Sequence, residues 1–317
     1  MKDKDNLFIL IGPTAIGKTA LSIELAKRMN GEIISADSMQ IYKNMDIGSA
    51  KITKEEMEGI PHHLIDIVFP DEEFTVANFK DKATTLIKEI NNRYKLPIIA
   101  GGTGLYINSI VYDLKFTEVP PNEELRTRLE TLADEYGNEY LHEELNKIDK
   151  VSGEKISIRD RKRIIRAMEI FEATGKAMSE HNKDFRVPNK DYNLVMVGLN
   201  MDRQKLYNRI NRRVDKMIEE GLIDEVKGIL EKGYNKALVS MQGIGYKEIV
   251  MYLDGSISLD KSIELIKQGT RNYAKRQLTW FKRDNRIKWI DIDEFSDHMD
   301  IAQFIIDYTK EKIKIHI

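Results

Sequence analysis

The chain has 317 residues, 41% apolar and 32% charged, with a net charge of −2. That describes a soluble globular protein with a sizeable core in one large domain or two ordinary ones, and no window approaches the roughly 18-residue apolar run of a bilayer helix. Cysteine is absent, which excludes disulfides and thiolate metal sites. Met1-Lys2-Asp3-Lys4-Asp5 lacks the apolar core of a signal peptide, so a cytoplasmic location is expected.

Leu7-Phe8-Ile9-Leu10-Ile11 reads as a buried parallel strand, and Leu21, Leu25 and Met29 mark one stripe of the next helix. Between them, Gly12-Pro13-Thr14-Ala15-Ile16-Gly17-Lys18-Thr19 matches the P-loop pattern in spacing and context. Glycines let backbone N–H groups turn inward around a polyanion, and a helix N-terminus adds positive potential. Lys18 then sets a point charge on phosphate oxygens, and the Thr19 hydroxyl is placed to ligate Mg²⁺. A diphosphate or triphosphate is expected here; the bland alternative is a tight turn without a ligand.

Residues 32–37 read as a second strand closing on Asp37. Ligands of open α/β sheets sit beyond the carboxyl ends of strands, so Asp37 is expected in the same crevice. It is a Mg²⁺ ligand, a general base or a surface cap. Residues 38–42 continue as loop or helix start, 44–52 as irregular chain and 61–68 as a short strand. His62-His63 lacks a second metal-ligand cluster and reads as a packed or hydrogen-bonded pair. A helix is expected over 74–94 and a third buried strand over 96–100. The turn Gly101-Gly102-Thr103-Gly104 follows, approaching a ligand or packing a helix tightly on the sheet. Repeated strand–helix units argue for a parallel sheet.

The pattern changes near Val119-Pro120-Pro121, after which Leu125, Leu129, Leu132 and Tyr136 recur at helical spacing. A second helix is expected over 158–174, ending at Gly175. Its wheel puts Arg159, Lys162, Arg163 and Arg166 opposite Ile164, Ile165, Met168 and Phe171. Residues 119–190 therefore read as a helical insertion with a basic surface, between core parts 1–118 and 191–317. A strand at 193–199 returns to the sheet. The helix at 202–219 sets Arg209 and Arg213 on one face, where Arg213 clamps a leaving phosphate or forms a surface salt bridge. Helices at 222–232 and 259–283, a strand at 287–290 and a peripheral helix with tail over 301–317 complete the chain.

Local charge departs from the near-neutral total. Windows 155–166 and 275–288 each hold six basic residues, opposed only by Asp160 and Asp284 respectively. Such clusters fit placed contacts with a polyanion, or simply two solvated helix faces. The second window interleaves cations with Trp280 and Phe281, a mix suited to phosphate contact and base stacking unless the aromatics are core.

Gly12–Thr19 together with Ser35-Ala36-Asp37-Ser38-Met39-Gln40-Ile41-Tyr42 and Asp46-Ile47-Gly48-Ser49-Ala50-Lys51 resembles the tRNA dimethylallyltransferase family. So do Ile60-Pro61-His62-His63-Leu64, Ile99-Ala100-Gly101-Gly102-Thr103-Gly104-Leu105-Tyr106, Gly243-Ile244-Gly245-Tyr246 and the segment from Arg271 to Trp280. The resemblance runs in order over about residues 6–292 and leaves the tail unmatched. It implies an α/β fold, with a P-loop NTPase-like parallel-sheet core and an inserted helical tRNA-binding domain. It also implies transfer of a dimethylallyl group from its diphosphate to N6 of the adenosine just 3′ of the anticodon.

By that resemblance Lys18, Thr19-bound Mg²⁺ and Arg213 stabilise the departing pyrophosphate, and Asp37 accepts a proton from the adenine amine. Asp37-Ser38-Met39-Gln40 and Thr103 handle an extruded base. Arg126, Lys162-Arg163-Ile164-Ile165-Arg166 and Gln242-Gly243-Ile244-Gly245-Tyr246-Lys247 hold the RNA, with Lys275-Arg276-Gln277-Leu278-Thr279-Trp280-Phe281-Lys282. The expected partners are a tRNA anticodon stem-loop and dimethylallyl diphosphate, with no membrane, and the expected state is a monomer. The helix at 158–174 is more basic than the family pattern. The rival readings are a P-loop small-molecule kinase with 159–166 as a lid over ATP, and an NTP-gated RNA-binding module.

Overall fold

The computed structural model describes residues 4–114, 119–181 and 187–314. Its strands are β1 (Asp5–Ile11), β2 (Gly31–Ala36), β3 (His62–His63), β4 (Leu96–Gly101), β5 (Tyr192–Asn200) and β6 (Lys288–Asp291). The helices begin with α1 (Lys18–Arg28), α2 (Val76–Asn92), α3 (Gly104–Val111), α4 (Glu123–Ile148), α5 (Lys150–Lys155) and α6 (Arg161–Thr174). They continue with α7 (Met178–His181), α8 (Arg203–Glu219), α9 (Leu222–Glu231), α10 (Tyr246–Leu253), α11 (Leu259–Phe281) and α12 (His298–Lys312). Two compact units divide the chain, Met1–Ile110 with Lys190–Ile317, and Val111–Asn189.

The first unit is an α/β sheet of six parallel strands in the order β3-β2-β4-β1-β5-β6. A parallel sheet is covered on both faces, so its central strands read as unbroken apolar runs. Leu7 through Ile11 of β1 are each 0% exposed. Register then sets the site. Ile11 of β1 and Ala36 of β2 both pair with Gly101 of β4. The loops leaving β1, β2 and β4 therefore emerge together at the carboxyl edge of the sheet, where open α/β sheets bind ligands.

Three local expectations change in this unit. Within residues 61–68 only His62 and His63 join the sheet, because Leu64 and Asp66 adopt positive φ and end the extended chain. The C-terminal helix is not peripheral. Ile301, Ala302, Ile305 and Ile306 of α12 form a buried stripe within the main core, beside Leu21 and Leu25 of α1; residues 315–317 of the expected tail lie outside the described residues. Helix α10 was not anticipated, its Tyr246, Ile249 and Val250 being buried in a second cluster with Leu222 and Val226.

The glycine turn after β4 serves packing. A Cβ on Gly101 would lie 2.3 Å from the Ala36 carbonyl oxygen, and one on Gly104 would lie 2.4 Å from Trp280 Cδ1. Strands β2 and β4 and helix α11 thus close on this turn, and the glycines are what permits it.

The second unit is helical, with Leu125, Leu129, Leu141, Leu145, Ile164 and Ile165 in its core. Helix α4 breaks at Gly137, whose φ of 88° is non-helical. Tyr136, expected on the apolar stripe, is instead 58% exposed and packs on Tyr140 with ring centroids 5.3 Å apart. Helix α6 starts three residues later than expected, because the Asp160 side chain caps it through the Arg163 N–H. Arg159 therefore lies outside the helical face assigned to it.

Candidate active site

A cleft of about 450 Å³ opens at the carboxyl edge of the sheet, lined among others by Lys18, Thr19, Asp37, Gln40, Arg213 and Gln277. Helix α1 is preceded by Gly17 at its N-cap, at φ 104° and with no side chain to cap the helix. A capping side chain would occupy the amides that a helix N-terminus presents to an anion. Ala15 also takes a left-handed φ, 65°, a conformation costly for a residue with a Cβ and characteristic of functional loops. Lys18 Nζ folds over the loop and donates to the carbonyls of Gly12 at 2.9 Å and Pro13 at 2.8 Å. Burial lowers its pKa to about 8, against the opposing pull of Asp37 and with a smaller contribution from Arg213.

Asp37 follows β2 directly. Its Oδ1 accepts from the Met39 N–H at 2.9 Å, which fixes the carboxylate in an Asx-type turn. The Thr103 hydroxyl accepts from the Ser38 N–H at 3.1 Å, joining this turn to the one after β4. Gln40 Oε1 accepts from the Ser35 hydroxyl at 3.0 Å. Asp37, Gln40 and the glycine loop thus face one cavity.

Helix α8 supplies cations. Arg209 and Arg213 both line the cleft, as their four-residue spacing predicts, and Arg212 joins them. Arg209 donates to the Ile16 carbonyl at 3.3 Å. Burial lowers the pKa of Arg213, while the Asp37 carboxylate opposes that shift.

Among the lining residues, Arg212 and Tyr273 carry no signal singled out from sequence, and His62, expected only as half of a packed or hydrogen-bonded pair, also faces the cleft. Tyr273 lies four residues before Gln277 on α11, so helical spacing alone puts them on one face. Burial, aided by Asp37, pushes the Tyr273 hydroxyl up to about 12. The histidine pair divides its roles. His63 Nε2 meets Glu32 at 2.8 Å, and His62 Nδ1 meets the Ile60 carbonyl at 2.8 Å, leaving the buried His62 Nε2 without a hydrogen-bond partner.

The segments assigned to RNA split between surface and core. On α11, Lys275, Arg276, Thr279 and Lys282 are exposed, Leu278 is half-buried, and Trp280 packs on Gly104. Phe281 is 2% exposed and Gln277 5%. Gln242 and Lys247 are exposed, whereas Tyr246 is fully buried and donates to Glu225 at 2.7 Å. Glu225 also accepts from the backbone N–H groups of Asp46, Ile47 and Gly48. The Tyr246 side chain is therefore a packing element and not a contact surface, as are those of Ile164, Ile165 and Phe281, while the buried Gln277 faces the cleft.

In the helical unit Lys162 and Arg163 are exposed. Arg126 and Arg166 both bind Glu169, which is 1% exposed and also accepts from the Asn122 N–H at 2.7 Å. Burial alone would raise the Glu169 pKa; the Asn122 amide and the two guanidiniums outweigh it and hold it low. Arg161 pairs with Asp134 at 2.6 Å. Three arginines of the basic cluster are thus answered by carboxylates: Arg161 by Asp134 of α4, and Arg163 and Arg166 by Asp160 and Glu169, each three residues away.

The chain matches the family model described as IPP transferase over residues 40–284. It is 52% identical over 310 residues to the tRNA dimethylallyltransferase of Caldanaerobacter subterraneus subsp. tengcongensis, covering 97% of this chain and 98% of that one. The crystal structure of the full-length tRNA isopentenylpyrophosphate transferase from Bacillus halodurans superposes with a TM-score of 0.71 at 47% identity, covering 98% of each chain. A eukaryotic dimethylallyltransferase acting on tRNA superposes with a TM-score of 0.81 at 28% identity, covering 99% of this chain and 81% of that one. On the strength of that coverage and identity, the chain belongs to the tRNA dimethylallyltransferase family.

Proposed function

We propose that this protein transfers a dimethylallyl group from dimethylallyl diphosphate to N6 of the adenosine immediately 3′ of the tRNA anticodon, releasing diphosphate. One observation carries the reading: a polyanion loop with Lys18, Thr19 and Arg213 shares a single cleft with the fixed carboxylate of Asp37. Negative charge grows on the leaving diphosphate as the allylic C–O bond breaks. The P-loop amides, Lys18 and Arg213 stabilise that charge most where it is largest. The adenine amine is a weak nucleophile, and Asp37 orients it and takes its proton.

The donor set fits Mg²⁺. The exposed Thr19 hydroxyl is a hard oxygen ligand at the mouth of the loop. Among the described residues no three His, Cys, Asp or Glu side chains converge, so phosphate and water oxygens would complete the shell, as Mg²⁺ prefers. When bound, the ion neutralises charge on the diphosphate.

We assign Val111–Asn189 as the inserted tRNA-gripping domain, with the exposed Lys162 and Arg163 on its RNA-facing surface. Lys275, Arg276, Thr279 and Lys282 form a second RNA-facing surface, while Ser38, Met39, Gln40 and Thr103 surround the extruded base. The working form is a monomer in the cytoplasm; among the described residues no helix is long and apolar enough to cross a membrane. A kinase lid over 159–166 is disfavoured because Arg161, Arg163 and Arg166 are spent on Asp134, Asp160 and Glu169.

The direct test incubates the protein and Mg²⁺ with tRNA lacking the modification, supplying dimethylallyl diphosphate or ATP, and analyses the nucleosides by mass spectrometry. Prenylated adenosine is expected with dimethylallyl diphosphate alone. Its absence, together with ATP consumption on adding small metabolites, would make the protein a kinase.

Lys18 gives the reaction a pH signature. Its pKa of about 8 in the free protein rises when an anion binds beside it. Below pH 8 the lysine is charged in both states and affinity is flat. Above pH 8 the free protein loses a proton that the complex must regain, so affinity falls by up to about tenfold per pH unit. The KM for dimethylallyl diphosphate, measured from pH 7 to 9.5, should therefore turn upward near 8. Lys18→Arg should flatten the rise, because its charge does not titrate in this range. A flat wild-type profile would remove Lys18 from the diphosphate.

A further inference from the structure

Gln277 lies in the stretch of α11 expected to hold RNA, yet its carboxamide is turned into the protein and used at both ends. Oε1 accepts from the Thr14 N–H at 2.9 Å, and Nε2 donates to the Gly102 carbonyl at 2.9 Å. Thr14 belongs to the glycine loop after β1, and Gly102 to the turn after β4. One side chain thus ties α11 to two of the three loops that frame the cleft. Its chemistry is specific, since an ionised carboxylate keeps the acceptor but lacks the donor, and a thioether offers neither at useful strength.

Gly102 is shaped to this clasp. A Cβ there would fall 2.0 Å from Gln277 Nε2 and 3.2 Å from its amide carbon, whereas the Gly12 carbonyl oxygen is at an ordinary 3.5 Å. Gly102 is absent from the positive-φ glycines, so the missing side chain serves the amide and not the backbone conformation.

We propose that Gln277 is a positioning residue for the diphosphate, acting through the Thr14 amide that it fixes, and is not an RNA contact. Holding Thr14 and Gly102 to one carboxamide sets the loop before substrate arrives, and a preorganised loop loses less on binding. The exposed Lys275, Arg276 and Thr279 beside it on α11 are left to meet tRNA. This assignment rests on the reading of the cleft as the site of prenyl transfer.

The test compares Gln277→Met, Gln277→Glu and Gly102→Ala in full-length protein, reading the KM for dimethylallyl diphosphate, kcat, the tRNA dissociation constant and the melting temperature. Gln277→Met is expected to raise that KM about tenfold, the scale of one or two lost hydrogen bonds, with tRNA affinity within twofold of wild type. Gln277→Glu should recover toward wild type as pH falls, because the protonated carboxyl restores the missing donor. Gly102→Ala clashes only with the far end of a side chain, so it should expel the amide, keep the fold and reproduce the raised KM. Adding Gln277→Met to it should then cost little more. Weakened tRNA binding at unchanged KM would make Gln277 an RNA contact and overturn the proposal. Parallel losses in every parameter with a lowered melting temperature would reduce it to packing. If the underlying reading is at fault, wild type itself yields no prenylated adenosine, which separates the two failures.

Discussion

Asp37→Asn is expected to slow prenyl transfer by about 10³-fold, within the range for loss of a positioned general base, while tRNA binding stays within about threefold. The substitution isolates one property. Asparagine can keep an oxygen on the Met39 N–H, the 2.9 Å bond that orients Asp37, so the turn and its link to Thr103 persist. What it loses is the capacity to take a proton and a negative charge felt across the cleft. That charge offsets the pKa-lowering effect of burial on both Lys18 and Arg213. Single-turnover prenylation at saturating substrates reads the chemical step, and filter binding reads tRNA affinity. A rate within tenfold of wild type would show that orientation of the amine, and not proton acceptance, is what Asp37 provides.

The parts of this site legible from sequence are those whose partners lie nearby in the chain. A strand, eight loop residues and a helix are contiguous, so the Gly12–Thr19 loop could be read directly, and so could Asp37 at the end of β2. Arg213 was reached by helical spacing from Arg209. What escaped depends on contacts between distant segments. Glu169 of α6 lies just beyond the basic window; it holds Arg166 one turn away and, because α4 packs beside α6, Arg126 as well. Window charge counts could not see that pairing, nor Asp134 answering Arg161 from 27 residues away. Likewise Gln277 was grouped with its exposed neighbours, because a helical segment of mixed polarity does not declare which face is inward. Tyr246 reads as a contact residue from sequence, but it packs in a distant apolar cluster and donates to Glu225, 21 residues earlier. Helix α12 reads as peripheral because nothing local says that the sheet still has a face to cover.

Arg213→Ala should slow transfer by about 10²- to 10³-fold, the scale of losing one preorganised donor to a developing charge, with tRNA binding again within about threefold. The contrast with the arginines of the helical unit supplies the reason. Arg126 and Arg166 spend their charge on a buried carboxylate, whereas among the described residues Asp37 and Glu220 favour the charge of Arg213 and burial opposes it. A cation held at that cost gains most from an incoming polyanion. Alanine leaves the buried stripe of Leu206, Ile210 and Val214 intact, so α8 should still pack. Arg213→Lys should fall between, keeping charge but losing the fork that grips two phosphate oxygens. A second readout checks the placement. Arg213 is one cause of the lowered Lys18 pKa, so its removal should move the pH break in the KM for dimethylallyl diphosphate upward from about 8. Equal loss of transfer and tRNA binding, with the break unmoved, would put Arg213 on the RNA and leave the diphosphate to the P-loop alone.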